Sequence, residues 1–165
     1  MKKVAVVMGS ASDLPLAREA LQTLSDFGVP STARVLSAHR SPNETVDFVR
    51  GVETEGYGVL IAIAGKAAHL AGVLASHTRL PVIGVPAGSH DLGGLDALLS
   101  TVQMPKGVPV ATVAIGGAAN AALLAVRILA LADDDLAQKL DSYAQALAKK
   151  TIEADESLQK EIETI

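Results

Sequence analysis

Cysteine is absent from all 165 residues, and so is tryptophan. The first absence excludes disulfides and thiolate metal sites, and it fits a reducing compartment. Aromatic side chains make up only 2% of the chain, fewer than a protein that stacks flavins or bases on ring faces would carry. Positive charge is scarce too: 14 Lys and Arg against 18 Asp and Glu leave a net charge of −4. No basic footprint invites nucleic acid. Mild acidity still permits an anionic substrate, because a few local donors can hold one phosphate. No stretch approaches the roughly 18 apolar residues of a membrane span. The opening "MKKVAVVMGS" carries two lysines like a secretory leader, but the apolar run behind them covers only Val4 to Met8. That is too short for a signal peptide core. A cytoplasmic location is the expectation.

What is present is an alternation. Hydrophobic residues are 49% of the chain, enough for a real core in one domain over residues 1–165. Apolar strand-like runs fall at Val4 to Met8, Thr32 to Leu36, Val59 to Ile63, Pro81 to Val85 and Val110 to Ala114. Between them lie amphipathic helical patterns. Asp13 to Phe27 places Leu14, Ala17, Leu21 and Leu24 on one face, and Gly28 stops it. Ser41-Pro42-Asn43-Glu44 has capping-box spacing and opens a helix expected to reach about Glu55. A short helix is expected over Ala67 to His77, a helical turn over Leu95 to Thr101, and an Ala/Leu-rich helix over Asn120 to Leu131. Strand-helix units with short links predict a three-layer doubly wound parallel α/β sheet, flavodoxin-like, in the order 2-1-3-4-5. The tail from Asp133 is a charged helix with one apolar stripe, Leu136, Leu140, Tyr143 and Leu147. It packs either on its own domain or on another subunit.

In such sheets ligands bind beyond the carboxyl ends of the strands. After the first strand comes "GSASD", where Ser10, Ala11, Ser12 and Asp13 follow Gly9 into a helix N-terminus. Small residues, hydroxyls and free amides make an anion site there. Ser12 or Asp13 could equally be a simple helix cap. After the second strand comes "LSAHRSP". Arg40 and Ser37 could close on the same phosphate, since a guanidinium suits phosphate geometry. His39 beside them could move a proton, because an imidazole titrates near neutral pH. After the third strand comes "AGKAAHL", Ala64 to Leu70, with His69 one turn into the next helix. After the fourth comes "PAGSHDLGGLD", polar and glycine-rich, a plausible lid in which His90 is solvated. His77, next to the helix end and Arg79, is read as structural or surface. The residues alone describe a small enzyme for a phosphorylated metabolite, working by acid/base chemistry.

The motifs together go further. "VVMGSASD", "SAHRSP", "AGKAAHL", "LPVIGVP", "GLDALLSTVQMPKGVPVATVAIG" and "NAALLAVRIL" occur in one order. The chain closely resembles the PurE family of purine biosynthesis, the N5-carboxyaminoimidazole ribonucleotide mutases, from about Lys3 to Leu131 and with a similar helical tail. The resemblance implies a homo-octamer with active sites near subunit contacts. It implies a reaction that moves carboxylate from N5 to C4 of the ribonucleotide, with no metal, ATP or organic cofactor. Carried over by position, Ser10, Asp13 and Arg40 match the family's ribonucleotide-binding residues and His39 its general acid/base. Ala64, Gly65, Lys66, His69 and Leu70 would line the imidazole. Two departures stand out: Lys66 is a charge where mutases often have a small residue, and Ala71 stands where proline is common. A sister branch, which carboxylates aminoimidazole ribonucleotide with free CO2, tends to show arginine, serine and asparagine at Lys66, Ala67 and Ala68. It also lacks the histidine at position 69. A mononucleotide-binding electron carrier and a non-catalytic relative are the readings outside that chemistry.

Overall fold

A computed structural model describes residues 1–164. Alternation along the central strands sets its architecture. In β1 (Lys3–Met8) and β3 (Tyr57–Ala64), Val4, Val6, Met8, Val59, Ile61 and Ile63 face one core, and Ala5, Val7, Leu60 and Ala62 face another. A strand apolar on both faces needs a helix layer on each. Against the first face pack α1 (Leu14–Asp26), α5 (Ala118–Ala130) and the start of α6 (Asp134–Ile162). Against the second pack α2 (Pro42–Gly51) and α3 (Leu70–Ala75). The sheet also contains β2 (Ser31–Val35), β4 (Val82–Pro86) and β5 (Ala111–Thr112), all parallel, in the order β2-β1-β3-β4-β5. This is the expected doubly wound order.

Several expected elements are redrawn by packing. α2 stops at Gly51 and turns lead on to Tyr57. α3 begins only at Leu70, because residues 65–68 form a tight turn instead. β5 keeps two residues of the expected five-residue run: Val113 N–H still donates to Gly84 O at 3.1 Å, and a turn closed by Gly117 N–H donating to Ala114 O at 2.9 Å ends it. On α1 the buried residues are Ala17, Ala20 and Leu24, while Leu14 is exposed. The capping box at Ser41 does not form: its hydroxyl bonds backward, accepting from the Ser37 N–H at 3.0 Å. A helix cap is worth only about 1 kcal/mol. Each buried Val, Leu or Ile is worth roughly 1.5–3 kcal/mol, so core packing holds α2 without it.

α4 (Leu95–Val102) lies over β4 at a point where only glycine fits. A Cβ on Gly84 would collide with Thr101 Cγ2. α6 is divided in its surroundings. Leu136 is fully buried and Leu140 packs on the first core, whereas Tyr143 and Leu147 are largely exposed. The near end of the tail therefore belongs to its own chain, and every residue from 141 to 164 is exposed. Among the described residues no helix is long and apolar enough to cross a membrane.

Candidate active site

The parallel ladder brings the first four strand-end turns to one edge of the sheet. It also runs one residue past the strands. Leu36 N–H donates to Met8 O, Gly9 N–H to Ile63 O, and Ala87 N–H to Ala64 O, each at 2.9 Å. The turns therefore start from fixed positions on either side of the switch between β1 and β3. Between them lies a cleft of about 420 Å³.

The first turn is a short 3-10 segment, Ala11–Asp13, capped by the Ser10 side chain. Ser10 Oγ accepts from Ser12 Oγ at 2.9 Å. Asp13 precedes α1 but makes no side-chain cap, so the expectation that Asp13 might only cap the helix fails. Ser10, Ser12 and Asp13 line the cleft, and Ala11 does not.

The second turn is tied on both sides. Ser41 N–H donates to Ser37 O at 2.9 Å, and Arg40 N–H donates to Ser37 Oγ at 3.2 Å. The Arg40 side chain crosses to the first turn, where Nη2 donates to Gly9 O at 2.8 Å. His39 is carried on this closed turn toward the third. His69 stands at the N-cap position of α3, with no capping bond from its side chain, rather than one turn inside the helix. The two imidazoles meet there, with His39 Nε2 at 2.9 Å from His69 Nδ1 and the rings edge-to-face at 86°. That bond requires a proton on one facing nitrogen and a lone pair on the other. A proton taken up by one ring can therefore pass to the other.

Apart from Lys66, the rest of the wall is small or apolar. Ala64, Gly65, Lys66, Ala67 and Leu70 come from the third turn, and Ala87, Gly88 and Ser89 from the fourth. Of the remaining histidines, His77 bonds Val73 O at 2.9 Å on the outer surface, and His90 is exposed.

Residues 3–150 match the model of the family described as AIR carboxylase. The chain belongs to the AIR carboxylase family. It is 56% identical to an N5-carboxyaminoimidazole ribonucleotide mutase of Saccharolobus solfataricus, over 88% of this chain and 92% of that protein. It is 49% identical to the mutase of that name from Mycobacterium tuberculosis, over 96% and 91% of the two chains. A crystal structure of Treponema denticola PurE superposes with a TM-score of 0.85 at 34% identity, covering 94% of this chain and 97% of that one.

The cleft of this AIR carboxylase family member thus collects all the residues expected from its sequence except Ala11. Sequence reasoning missed the direct His39–His69 contact, which spans 30 positions and has no local spacing signal. It also read the turn after β4 as a lid, whereas Ala87, Gly88 and Ser89 form part of the wall. The rule that sites collect at strand ends could have found them.

Asp13 has the one clearly shifted acid among the lining residues. Burial pushes its carboxyl up from the ordinary 3.8, and the Ser10 N–H and the Arg40 guanidinium pull it partly back. A carboxyl raised on folding favours the fold while protonated. Its contribution is present below 3.8 and is lost as pH rises through the folded value. Near neutrality the ionised Asp13 is a net cost to stability. Asp13→Asn should therefore raise the melting temperature at pH 7, with the gain shrinking as pH falls toward 3.8. Calorimetric scans across that range check it; an Asp13→Asn protein less stable at neutral pH would contradict the assignment.

Proposed function

We infer that this chain moves the carboxylate of N5-carboxyaminoimidazole ribonucleotide from N5 to C4, an isomerase step of purine biosynthesis giving 4-carboxy-5-aminoimidazole ribonucleotide. The observation that carries this is the paired imidazole of His39, set in a cleft with a guanidinium on one side and small residues on the other. The mutase names of its relatives agree with it.

The chemistry follows from the residues. Ser10, Ser12 and Arg40 hold the phosphate, and Asp13 takes the ribose hydroxyls. Ser37 keeps Arg40 oriented, and Ala64, Gly65 and Leu70 lie against the imidazole of the substrate. The N5–carboxylate bond breaks, CO2 leaves, and its electron pair stays on N5. His39 gives N5 a proton. C4 then attacks the retained CO2, and the C4 proton returns to His39. Protons and charge balance over the two steps, so one histidine serves both. A cleft of short side chains keeps CO2 beside C4, which turns a bimolecular capture into an intramolecular one. His69 at 2.9 Å can share the proton before it goes to N5 and after it returns from C4. No metal or organic cofactor enters these steps.

The same reading makes the protein a cytoplasmic homo-oligomer, an octamer by resemblance, with no nucleic acid or membrane partner. It treats residues 1–165 as one domain whose tail, from Asp133 and helical over Asp134–Ile162, meets another subunit beyond the part packed on its own core. The exposed Leu95, Leu99 and Val102 on α4 and Leu147 and Leu158 on α6 support this. Light scattering should give several times the 16.9 kDa chain mass, and a monomer at micromolar concentration would reject it.

The two neighbours on the second turn should separate binding from chemistry. His39→Asn should keep ribonucleotide affinity within about tenfold, since one hydrogen-bonding contact changes, and should lower turnover by roughly 10²–10⁴. Arg40→Ala should weaken binding by about 1.5–3 kcal/mol, the range for a charged hydrogen bond, while chemistry at saturation suffers less. Calorimetry and product assays on both variants decide. Normal turnover by His39→Asn would leave that histidine a loop residue.

A further inference from the structure

Lys66 is the one described residue other than glycine that the backbone holds at positive φ, at 54°. Glycine would occupy that conformation without the clash a Cβ brings. A strained residue at the wall of a cleft points to a role for its side chain. The ammonium lies at 3.0 Å from Asp91 Oδ2, with both side chains mostly exposed. Such a pair is weak in water, so Asp91 is a replaceable counter-ion. It does not itself line the cleft.

A second observation lies on the same wall. Ser89 is two residues before Asp91 and lines the cleft, yet its Oγ is buried with no hydrogen-bond partner. Buried hydroxyls are nearly always partnered, and one that is not suits a ligand. The turns bearing these two residues are fixed side by side by the Ala87 N–H to Ala64 O bond. On the opposite side, Arg40 already donates to Gly9 O and faces Asp13. The inferred substrate carries two anionic groups, a phosphate and a carboxylate, and one guanidinium does not match both.

We propose that Lys66 and Ser89 form a second anion subsite that receives the migrating carboxylate of the bound ribonucleotide. This rests on the reaction inferred above. The carboxylate is present on N5 before transfer and on C4 after it, and is absent while CO2 is free and neutral. A cation there strengthens substrate and product binding without favouring the step between them. Its effect should fall on KM and on the choice between carboxylated and uncarboxylated ribonucleotides.

The test titrates 4-carboxy-5-aminoimidazole ribonucleotide and aminoimidazole ribonucleotide into the full chain and its variants. Lys66→Gly relieves the backbone strain, so it should fold at least as stably as the parent. It should bind the carboxylated ligand about tenfold more weakly, and the uncarboxylated one within about twofold of the parent. KM should rise more than kcat falls. Lys66→Arg should keep the preference, and Ser89→Ala should lose part of it. Asp91→Asn, which removes the competing carboxylate, should tighten the carboxylated ligand. Equal weakening of both ligands in Lys66→Gly, or none, would overturn the subsite while turnover by the parent leaves the reaction standing. A parent protein that binds neither ribonucleotide would overturn both.

Discussion

The backbone ladder does not stop where the strands end. Gly9, Leu36 and Ala87 each donate to the neighbouring strand beyond the last regular pair. These bonds fix where the first four turns begin, and the cleft depends on that. A parallel sheet points every strand's carboxyl end the same way, so residues far apart in sequence share one edge. The Arg40 to Gly9 bond joins the first two turns, and the His39 to His69 bond joins the second and third. Loss of register between β1 and β3 would part the first two turns from the third and fourth, and with them His39 from His69.

The adjacency of His39 and Arg40 then has a physical reason. Neighbouring side chains leave a turn in different directions. The closure of residues 37–41 by backbone and serine bonds holds those directions. Arg40 turns back to β1 and the hydroxyl-rich first turn, where an anion is best held. His39 turns across to the third turn, where the wall is alanine and glycine and a partner imidazole waits. One short ligand can then reach a charge at one end and a proton at the other. The core could accept neither group, which is why both sit where the strand ends.

Much of this was legible in the sequence. Apolar runs of strand length alternating with amphipathic segments specify the doubly wound sheet, and the strand ends specify where the turns with chemistry lie. Boundaries were less legible because packing moved them. The run Val110 to Ala114 has strand composition, but β5 is an edge strand and pairs over two residues only. Ser41 has cap spacing, yet its hydroxyl satisfies the Ser37 turn instead. Contacts between turns were hidden altogether. Lys66 could be noted as an unusual charge, but its positive φ and its link to Asp91 depend on how two turns meet. The unpartnered hydroxyl of Ser89 likewise exists only in the folded wall.

The central claim is that one cleft releases CO2 from N5 and recaptures it at C4 without losing it. It is tested most directly with N5-carboxyaminoimidazole ribonucleotide labelled at its carboxylate carbon, converted by the full chain in buffer holding unlabelled bicarbonate. The account predicts that carbon NMR finds the label in the C4 carboxylate, with no need for the bicarbonate. An unlabelled product, or product formed only from aminoimidazole ribonucleotide and bicarbonate, would contradict it.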